Sequence, residues 1–360
     1  MTNYLNGSRK PSYQFDVLDG EVKKGELKVT KPTVSMTSEI NSTEASVKYT
    51  SALSTTGYVW VNGKRTSELM NWSRDRIKAW LITDGLRQSL GVFLPRGVSM
   101  VTETGSTLYD VTAYDLSILA KEDCITERLS LAQGTLYLDQ IQSLLISCGI
   151  TKIIADASTA TLQSTRDDWD IGTPKLKIIN QLLSEISFRS LETDKMGAAL
   201  LKRYEPPSVS NISHIYREGI ASIVEPDTTT DSNFYEIPNI WIATVSNPDL
   251  ATPLKAQYIN DNPLSKTSTV YTGQNKVKVL QFDNIATQAD LQNAVNKQAF
   301  EDMQGIETTQ FKTAVVADHG VNDTVVLELP QYSGILVETS WEIDLDAMTM
   351  THTGKKAVDY

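Results

Sequence analysis

The chain has 360 residues, 40% of them hydrophobic and 21% charged, and its 44 acidic against 33 basic residues give a formal net charge of −11. These fractions are typical of a globular protein with a sizeable core, and the length favours two or three domains. They argue against disorder over the whole chain. Because nucleic-acid binding depends on Lys and Arg displacing counterions, so acidic a chain is not expected to bind nucleic acid specifically.

The two cysteines and the N-terminal sequence carry no sign of export by a signal peptide. Cys124 and Cys148 form no CxxC pair, and Cys148 follows an apolar helical stripe, so we expect a small core residue and no disulfide framework. Residues 1–15 contain no apolar signal core, and no stretch approaches the roughly 18 apolar residues of a membrane span. We therefore expect no membrane span and a protein made and kept in the cytoplasm, with release on lysis left open.

The first third of the chain predicts short β-strands. Residues 1–22 are expected to form a loose N-terminal arm, and residues 23–130 a first β-barrel domain whose strands are rich in Val, Tyr and Thr. The clearest strands cover residues 90–95, 98–103 and 107–114. Short polar turns separate them, which is typical of a meander of antiparallel strands. Residues 72–90 contain good helix formers without a clean stripe and stay unassigned.

Residues 131–185 are predicted to form a helical inserted region that contains two helices. In the first helix, apolar side chains recur at spacings of three and four, and Gly149 is well placed as the C-terminal cap. That stripe consists of Leu138, Ile141, Leu145 and Cys148. The second helix begins at Thr173 and Pro174, residue types favoured at the N-cap and the first helical position. Its stripe consists of Leu176, Ile179, Leu183 and Ile186.

A hairpin and a polar stretch follow the helices. Residues 186–191 and 197–204 are predicted to form a hairpin around a turn at 194–197, and strands near 186–225 are expected to complete the first barrel. In the polar stretch after the hairpin, residues 228–233 are a run of Thr, Asp, Ser and Asn. This run is the best exposed loop or linker in the chain and separates two β-rich units.

Residues 236–360 are predicted to form a second β-barrel domain that includes one helix. Its strands are expected at residues 239–245, 276–282, 311–317, 324–329 and 334–345. Thr287 and Asp290 match the short form of a capping box, and the helix after them has a one-sided apolar stripe. That stripe consists of Leu291, Val295, Ala299 and Met303.

The last strand has the clearest pattern, an alternation of period two over a dozen residues. One face carries Ile335, Val337, Thr339, Trp341, Ile343 and Leu345. The other face carries four carboxylates, those of Glu338, Glu342, Asp344 and Asp346. Together with the preceding elements, this pattern predicts an α+β, mainly β fold: two related β-barrel domains with a small helical and hairpin insertion between them.

A search for catalytic motifs finds none. The three histidines, His214, His319 and His352, have no metal-ligand spacing such as HExxH, and His319 is interpreted as part of a turn beside a strand. A G-x-S-x-G elbow, a phosphate loop and a dinucleotide fingerprint are absent from the sequence. We therefore expect no catalytic residue, no cofactor-binding residue and no metal site.

Paired carboxylates are harder to dismiss, because their spacing in the sequence of a glycosidase is arbitrary. Asp167, Asp168 and Asp170 flank Trp169, an arrangement that suits a sugar. The interpretation we favour is a polar loop before the Thr173 helix, with Trp169 packed down.

The order of the elements resembles that of phage baseplate hub proteins. Residues 91–120, GVFLPRGVSMVTETGSTLYDVTAYDLSILA, resemble the first barrel of that family, and residues 169–197, WDIGTPKLKIINQLLSEISFRSLETDKMG, its helix and hairpin. Residues 237–263, IPNIWIATVSNPDLATPLKAQYINDNP, followed by 285–303, are similar to the start of the second barrel. The segment from His319 to the ETSWEIDL run is similar to its close.

This resemblance implies a structural role. Members of the family occur in phages, defective prophages and tail-like bacteriocins, and they form homotrimers in which each subunit contributes two related β-barrels. The resulting ring of six barrels matches a sixfold tail tube on one side and a threefold spike on the other. The partners implied are the tail tube protein, the central spike protein and other baseplate proteins. The location implied is the virion tail baseplate, assembled in the bacterial host cytoplasm, and no enzymatic activity is implied.

Electrostatics adds a hypothesis about the channel of such a tail. A tube that passes DNA should not bind it, and a lumen of carboxylates repels phosphate. We therefore hypothesise that Glu338, Glu342, Asp344 and Asp346 line the channel. An ordinary solvated outer face is the alternative.

Two other functions remain open at this point. One is a tail-associated cell-wall hydrolase that uses the Asp167–Asp170 cluster, or Cys124 or Cys148 with a histidine. The other is a module that binds host glycan through Trp169 or Trp241.

Overall fold

The computed structural model describes residues 11–40, 47–61, 64–65, 71–103, 106–219, 222–233, 237–245, 254–282, 285 and 287–357. Over these ranges the chain consists mainly of curled β-sheets with a smaller helical part, which confirms the expected α+β, mainly β class. The helices of these ranges include none that is long and apolar enough to cross a membrane.

The first β unit is a closed antiparallel barrel. Its strands are β1 (Ser12–Asp19), β2 (Val22–Ile40), β3 (Val47–Val61), β4 (Lys64–Arg65), β5 (Arg76–Thr83), β6 (Leu86–Glu103) and β7 (Ser106–Asp115). Hydrogen bonds join six of them in the order β2–β1–β5–β6–β7–β3, and β3 pairs again with β2, so the ring closes. The short β4 pairs with the end of β3. Closure gives each of the six strands a neighbour on both sides.

The N-terminal segment differs from the expected loose arm. β1 lies within that segment, and it pairs with both β2 and β5 because its alternate residues Phe15 and Val17 are buried in the barrel. Residues 1–10, the rest of the expected arm before Pro11, lie outside the described residues.

The segment that stayed unassigned, residues 72–90, contains β5 and the start of β6. Asp84 and Gly85 connect these strands as a two-residue turn, with φ of 53° and 80°. Turns with two positive φ values match the twist of a hairpin, and Asp-Gly is a preferred sequence for them.

Apolar side chains from five of the ring strands fill the barrel. They are Phe15, Val17, Leu27, Val34, Met36, Ile77, Ala79, Leu81, Leu90, Phe93, Tyr109, Val111 and Ala113. Gly91 lies among them at a register shift between β5 and β6 and has a φ of 151°. A Cβ at this position would stand 2.4 Å from Cζ of Phe93, so only glycine fits against that ring.

The helical inserted region has its own core. Its elements are α1 (Ser117–Glu122), β8 (Leu129–Leu131), α2 (Tyr137–Ser147), β9 (Ile153–Ala155), β10 (Arg166–Trp169), α3 (Lys175–Glu185), β11 (Glu192–Thr193) and β12 (Ala199–Leu201). β8 pairs with β10, and β11, β12 and β9 form a small sheet. The predicted α2 is confirmed, with Gly149 at a φ of 85° just after its end. α3 is confirmed too, although Pro174 and not Thr173 occupies its N-cap.

The second β unit has six strands and is interrupted by an inserted module. It begins with β13 (Ile212–Arg217), after a 3-10 turn at Val209–Asn211, and β14 (Val224–Ser232). The module consists of β15 (Ile240–Val245), β16 (Lys255–Ile259), α4 (Thr269–Thr272), β17 (Val277–Phe282) and α5 (Gln288–Met303). After a 3-10 turn at Gln304–Ile306, the unit resumes with β18 (Glu307–Ala314), β19 (Thr324–Leu329), β20 (Tyr332–Asp344) and β21 (Thr349–Lys356). The strands follow one another in the order β13–β19–β20–β21–β18–β14, with β13 parallel to β19.

Two strand predictions for this half of the chain are wrong, and two confirmed strands belong to a different unit from the one expected. β13 was expected to complete the first barrel but pairs with β19, and residues 228–233, expected as a loop, lie mostly in β14 beside β18. The side chains of β14 are mostly exposed, so backbone hydrogen bonds hold it and its sequence shows no apolar alternation. The strands expected in the second barrel at 239–245 and 276–282 are β15 and β17 of the module.

The inserted module is a three-stranded sheet, ordered β16–β15–β17, under α5. The predicted N-cap is confirmed, but only half of the capping box forms: Thr287 Oγ1 accepts a hydrogen bond from the Asp290 N–H at 3.1 Å, while Asp290 Oδ2 accepts from the Thr287 hydroxyl at 2.6 Å and not from its backbone N–H. The four residues of the predicted α5 stripe are all buried.

β20 belongs to both β units. The first half of β20 pairs with β19. Its second half pairs with residues 33–37 of β2, beyond the part of β2 that pairs with β1. Against β21 the register shifts between Glu338 and Ser340, so Thr339 forms a β-bulge.

The bulge moves the buried face of β20 by one residue. Before it, Leu336, Val337 and Glu338 are all buried, and Leu336 packs in the core of the second unit. After it, the residues that pack in the barrel core are Trp341, Ile343 and Leu345. The predicted alternation of one apolar and one acidic face therefore holds only for the second half of the strand.

We predict that Gly91→Ala lowers the free energy of unfolding by about 3 kcal/mol, because the added Cβ both strains the backbone and meets the Phe93 ring. Gly97→Ala is the matched control, since a Cβ there would be 3.4 Å from the nearest atom, ordinary van der Waals contact. Urea unfolding of both variants measures the difference, and equal losses would contradict the packing described.

Candidate functional site

All three histidines of the chain meet at the bulge of β20. His214 comes from β13, His319 from the loop between β18 and β19, and His352 from β21. Glu338 lies between two of them: the His319 Nδ1 is 2.5 Å from Glu338 Oε2, and the His352 Nδ1 is 2.5 Å from Glu338 Oε1. We call His214, His319, Glu338 and His352 the histidine cluster.

The second nitrogen of each buried imidazole also has a partner. Nε2 of His319 contacts the Tyr216 hydroxyl, and Nε2 of His352 lies 2.8 Å from Thr313 Oγ1. The ring of His214 stacks on that of His319 with centroids 3.8 Å apart. The imidazole rings of His319 and His352 are therefore each held by contacts at both ring nitrogens.

The loop before β19 is fixed to the backbone of Glu338. The Glu338 N–H donates to the Asp323 carbonyl at 2.9 Å, and the Glu338 carbonyl accepts from the Asn322 N–H at 2.7 Å. Asp323 Oδ2 in turn accepts from the Gly320 N–H at 2.7 Å. This loop carries His319, so its hydrogen bonds to β20 position one of the two imidazoles against the carboxylate.

Burial controls the charge of the inner groups. It lowers the pKa of His319 to about 4 although the hydrogen bond to Glu338 acts in the opposite direction, so this imidazole is neutral at neutral pH. Burial acts to raise the pKa of Glu338, but the hydrogen bonds from His319 and His352 outweigh it and hold the pKa below its usual range. Glu338 is therefore ionised inside the protein.

The inner part of the cluster is closed to solutes. His319 and His352 are 0% exposed and Glu338 is 1% exposed. A general acid or base must come within hydrogen-bond reach of a substrate, and these groups cannot. The arrangement instead connects β13, the loop, β20 and β21 through their side chains.

The β11–β12 hairpin packs on the same loop from the helical region. Glu192 is 6% exposed and accepts a hydrogen bond from Asn322 Nδ2 at 3.2 Å. Lys195 donates to the carbonyl of Ala317, and burial lowers the pKa of its amine to about 8. Burial raises the pKa of Glu192 to about 7.

The four carboxylates predicted to share one acidic face divide into two groups. Glu338 is buried in the histidine cluster, because the bulge turns it inward, so its predicted exposure to a channel is wrong. Glu342 and Asp346 are exposed and Asp344 is partly buried. Asp344 Oδ1 accepts from the Asp346 N–H at 2.9 Å, and Asp346 Oδ1 accepts from the Tyr13 hydroxyl at 2.8 Å.

The aromatic candidates for sugar binding are not available at the surface. Trp169 is 3% exposed, and its indole N–H donates to Gln181 at 3.0 Å while Arg166 covers its ring at 4.5 Å. The interpretation that Trp169 is packed down is confirmed. Trp241 is 0% exposed and donates to Asp302 at 2.6 Å.

Neither cysteine is placed as a nucleophile beside a histidine. Burial raises the pKa of Cys148 to about 11, and the groups near it are Lys175, Asp123 and Ser147. Cys124 contacts the carbonyl of Glu122 at 3.8 Å. A thiol held protonated is a weak nucleophile.

The histidine cluster was missed by sequence reasoning because its members are far apart in the chain. His319 and Glu338 are 19 residues apart, and His352 lies 14 residues beyond Glu338. The available signal was a single glutamate, Glu338. A β-bulge at the next residue places this glutamate on the buried face of β20, and no local sequence motif marks such a bulge.

The protein-family models and the curated protein sequences that were compared with the chain contain no match. Solved structures do match. The tail protein from Neisseria meningitidis MC58 has a TM-score of 0.67 at 11% identity, over 96% of each chain. The 43 kDa tail protein of prophage MuSo2 from Shewanella oneidensis has a TM-score of 0.65 at 10% identity, over 95% of this chain and 98% of that one.

A third match comes from a secretion system. An E. coli component of the type VI secretion system, described as structurally similar to the T4 bacteriophage tail proteins gp27 and gp5, has a TM-score of 0.54 at 9% identity. The match covers 95% of this chain and 77% of that one. The chain thus has the fold of phage tail proteins of the gp27-like class, and the resemblance to baseplate hub proteins is confirmed at the level of the fold.

We predict that Tyr216→Phe lowers the free energy of unfolding by about 2 kcal/mol, because Nε2 of the buried His319 loses its hydrogen-bond partner. Tyr271→Phe is the control, since Tyr271 is 64% exposed and its loss of a hydroxyl should be near neutral. Chemical unfolding measures both variants. Equal stability of the two would mean that the Tyr216 hydroxyl does not support the cluster.

A second prediction concerns the pH dependence of stability. The pKa of Glu192 is higher in the folded than in the unfolded chain, so the unfolded chain loses this proton first and Glu192 destabilises the fold as the pH rises from 5 to 8. Glu192→Gln removes this titration. The difference in the free energy of unfolding between Glu192→Gln and the parent protein should therefore shift in favour of the variant by about 3 kcal/mol from pH 5 to pH 8.

The measurement is urea unfolding at both pH values, with Glu205→Gln, at an exposed position, as the control. A pH profile of Glu192→Gln parallel to that of the parent would contradict the assignment of a raised pKa to Glu192.

Proposed function

We propose that this chain is a structural subunit of a phage-type tail baseplate, the hub that joins the sixfold tail tube to the threefold central spike and continues the tail channel. The observation that carries the proposal is the match to two tail proteins over at least 95% of this chain, with TM-scores of 0.65 and 0.67. Such coverage includes the barrel, the helical region and the second β unit together. The comparison therefore concerns the whole architecture.

The two β units support the symmetry that a hub requires. The barrel has six strands in its ring, and the second unit has six strands in one sheet, joined to the barrel through β20. In a homotrimer with cyclic symmetry, three chains would present six such units around the axis. The six β units of such a ring can contact a sixfold-symmetric partner, and the threefold symmetry of its three chains can match a threefold-symmetric partner. The proposed partners are the tail tube, central spike and other baseplate proteins.

A non-enzymatic role is part of the proposal. The inner histidines are closed to solutes, the Cys148 thiol is held protonated, and Trp169 and Trp241 are buried. The location that follows is the tail baseplate of a virion or tail-like particle, assembled in the host cytoplasm.

The remaining acidic face is proposed to line the channel. Glu342, Asp344 and Asp346 keep their carboxylates at the surface of β20 and of the turn after it, and the chain has a net charge of −11. A lumen with this sign of charge would repel DNA phosphates and let the duplex pass without adhesion.

Native mass spectrometry of the full chain tests the hub proposal, first alone and then with the cognate tube and spike proteins. We expect a species near three times the 39.9 kDa chain mass, and a larger complex when either partner is added. A strict monomer that binds neither partner would contradict the proposal. Clearing of cell walls in a zymogram would contradict the non-enzymatic role.

A further inference from the structure

We propose that His319, Glu338 and His352 form a closed structural site for a transition-metal cation of the zinc type. The ligands are the Nδ1 atoms of the two histidines and both carboxylate oxygens of Glu338. The site goes beyond the hub function, since it concerns what holds the strands of the second β unit together.

The donor set is of the kind that zinc prefers. Two imidazole nitrogens and a carboxylate provide four donor atoms, and the candidate ligand atoms of the three residues all lie within 4.8 Å of one another. Each oxygen of Glu338 faces a different Nδ1, at 2.5 Å in both cases. The carboxylate is thus aligned to bind one ion through both oxygens while the two imidazoles approach from its sides.

The hydrogen bonds around His352 are compatible with a metal at its Nδ1. Thr313 has one hydroxyl proton, which it can donate to the carbonyl of Ala314 at 2.8 Å. Its Oγ1 then accepts from Nε2 of His352, 2.8 Å away, so the proton of the imidazole lies on that nitrogen. A neutral imidazole protonated at Nε2 presents a lone pair at Nδ1, and this lone pair faces the carboxylate of Glu338.

Without a metal, the same Nδ1 atoms carry protons and donate hydrogen bonds to Glu338. A metal ion would replace these two protons, and both rings would then carry their proton on Nε2. The ion would also compensate the charge of a carboxylate that is only 1% exposed.

The contacts outside the ligands are those of a metal site. Histidines that bind a metal usually have their other ring nitrogen hydrogen-bonded, which fixes the tautomer and the ring direction. His319 has Tyr216 in this position and His352 has Thr313. Phe311 stacks on His352 with ring centroids 4.6 Å apart and shields the site from water.

Binding requires the ligands to move apart. Zinc lies about 2.0–2.1 Å from nitrogen and about 2.0–2.2 Å from oxygen, which puts two donors of a tetrahedral site about 3.4 Å apart, so each Nδ1 and its oxygen, now at 2.5 Å, must separate by about 0.9 Å. With four protein donors and no exposed ligand, no coordination position is left for a substrate. The site is therefore structural and not catalytic.

A second set of donors, His214, His319 and Asp323, fits less well. His214 stacks face to face on His319, so the two rings do not direct their lone pairs at one point. Tyr216 already occupies Nε2 of His319, and the Gly320 N–H occupies Oδ2 of Asp323. This difference makes His214 a useful control.

The test uses the full chain produced with added zinc and dialysed against metal-free buffer. Elemental analysis should find about one zinc per chain, and refolding with a chelator should lower the thermal unfolding temperature. Cobalt added during refolding should give the visible absorption of a tetrahedral site. Glu338→Gln should reduce bound metal at least tenfold, and the milder Thr313→Val should weaken the affinity about 10–100-fold.

His214→Gln and Glu342→Gln are the matched controls and should keep the full metal content. Folded parent protein with less than about one tenth of an equivalent of metal and an unfolding temperature insensitive to zinc would overturn the proposal in favour of direct hydrogen bonds from the two histidines to Glu338. Loss of metal in His214→Gln but not in Glu338→Gln would overturn it in favour of the other donor set. None of these results depends on whether the chain assembles as a hub.

Discussion

A β-strand directs alternate side chains to opposite faces, so the buried positions on one side of a strand can change from even-numbered to odd-numbered residues only if the register shifts by a residue. β20 meets this constraint with the bulge at Thr339. Leu336 packs in the second unit, while Trp341 and Ile343 pack in the barrel. The 13-stranded sheet is continuous because β20 pairs with β19 and β21 in one unit and with β2 in the other. The two units are therefore joined through one continuous strand, and not only through contacts between two separate surfaces.

The bulge also has an energetic cost, because it points Glu338 into the interior. An ionised carboxylate can be buried only if hydrogen bonds and charges replace its hydration. His319 and His352 supply the side-chain contacts, and the loop at Asn322 and Asp323 supplies those to its backbone. The position where the strand changes cores is thus also where three fully buried ionisable side chains meet, those of His319, Glu338 and His352. Stability of the histidine cluster and correct registration of β20 depend on each other.

The sequence was informative wherever the structure depends on local pattern. The start of α5 was predicted from the Thr287–Asp290 pair, and α2 from an apolar stripe at the helical period. The second half of β20 was predicted from its alternation of period two. Asp84–Gly85 was a hairpin signal that the helix formers around it obscured. β14 could not be predicted, because its exposed side chains carry no pattern and its partner β18 lies across the inserted module. The histidine cluster could not be predicted either, since it depends on a bulge and on pairing between distant strands.

The inserted module leaves and rejoins the second unit at adjacent points. Ser232 at the end of β14 is opposite Glu307 at the start of β18, and the Asn233 N–H donates to the Ile306 carbonyl at 2.8 Å. The module therefore occupies the position of an enlarged hairpin loop. Its core is formed by its own sheet and helix, and α5 contacts the helical region through Lys297, which donates to the Phe188 carbonyl at 2.9 Å. A change of length in the loops of the module away from α5 would therefore leave the strands on either side in place.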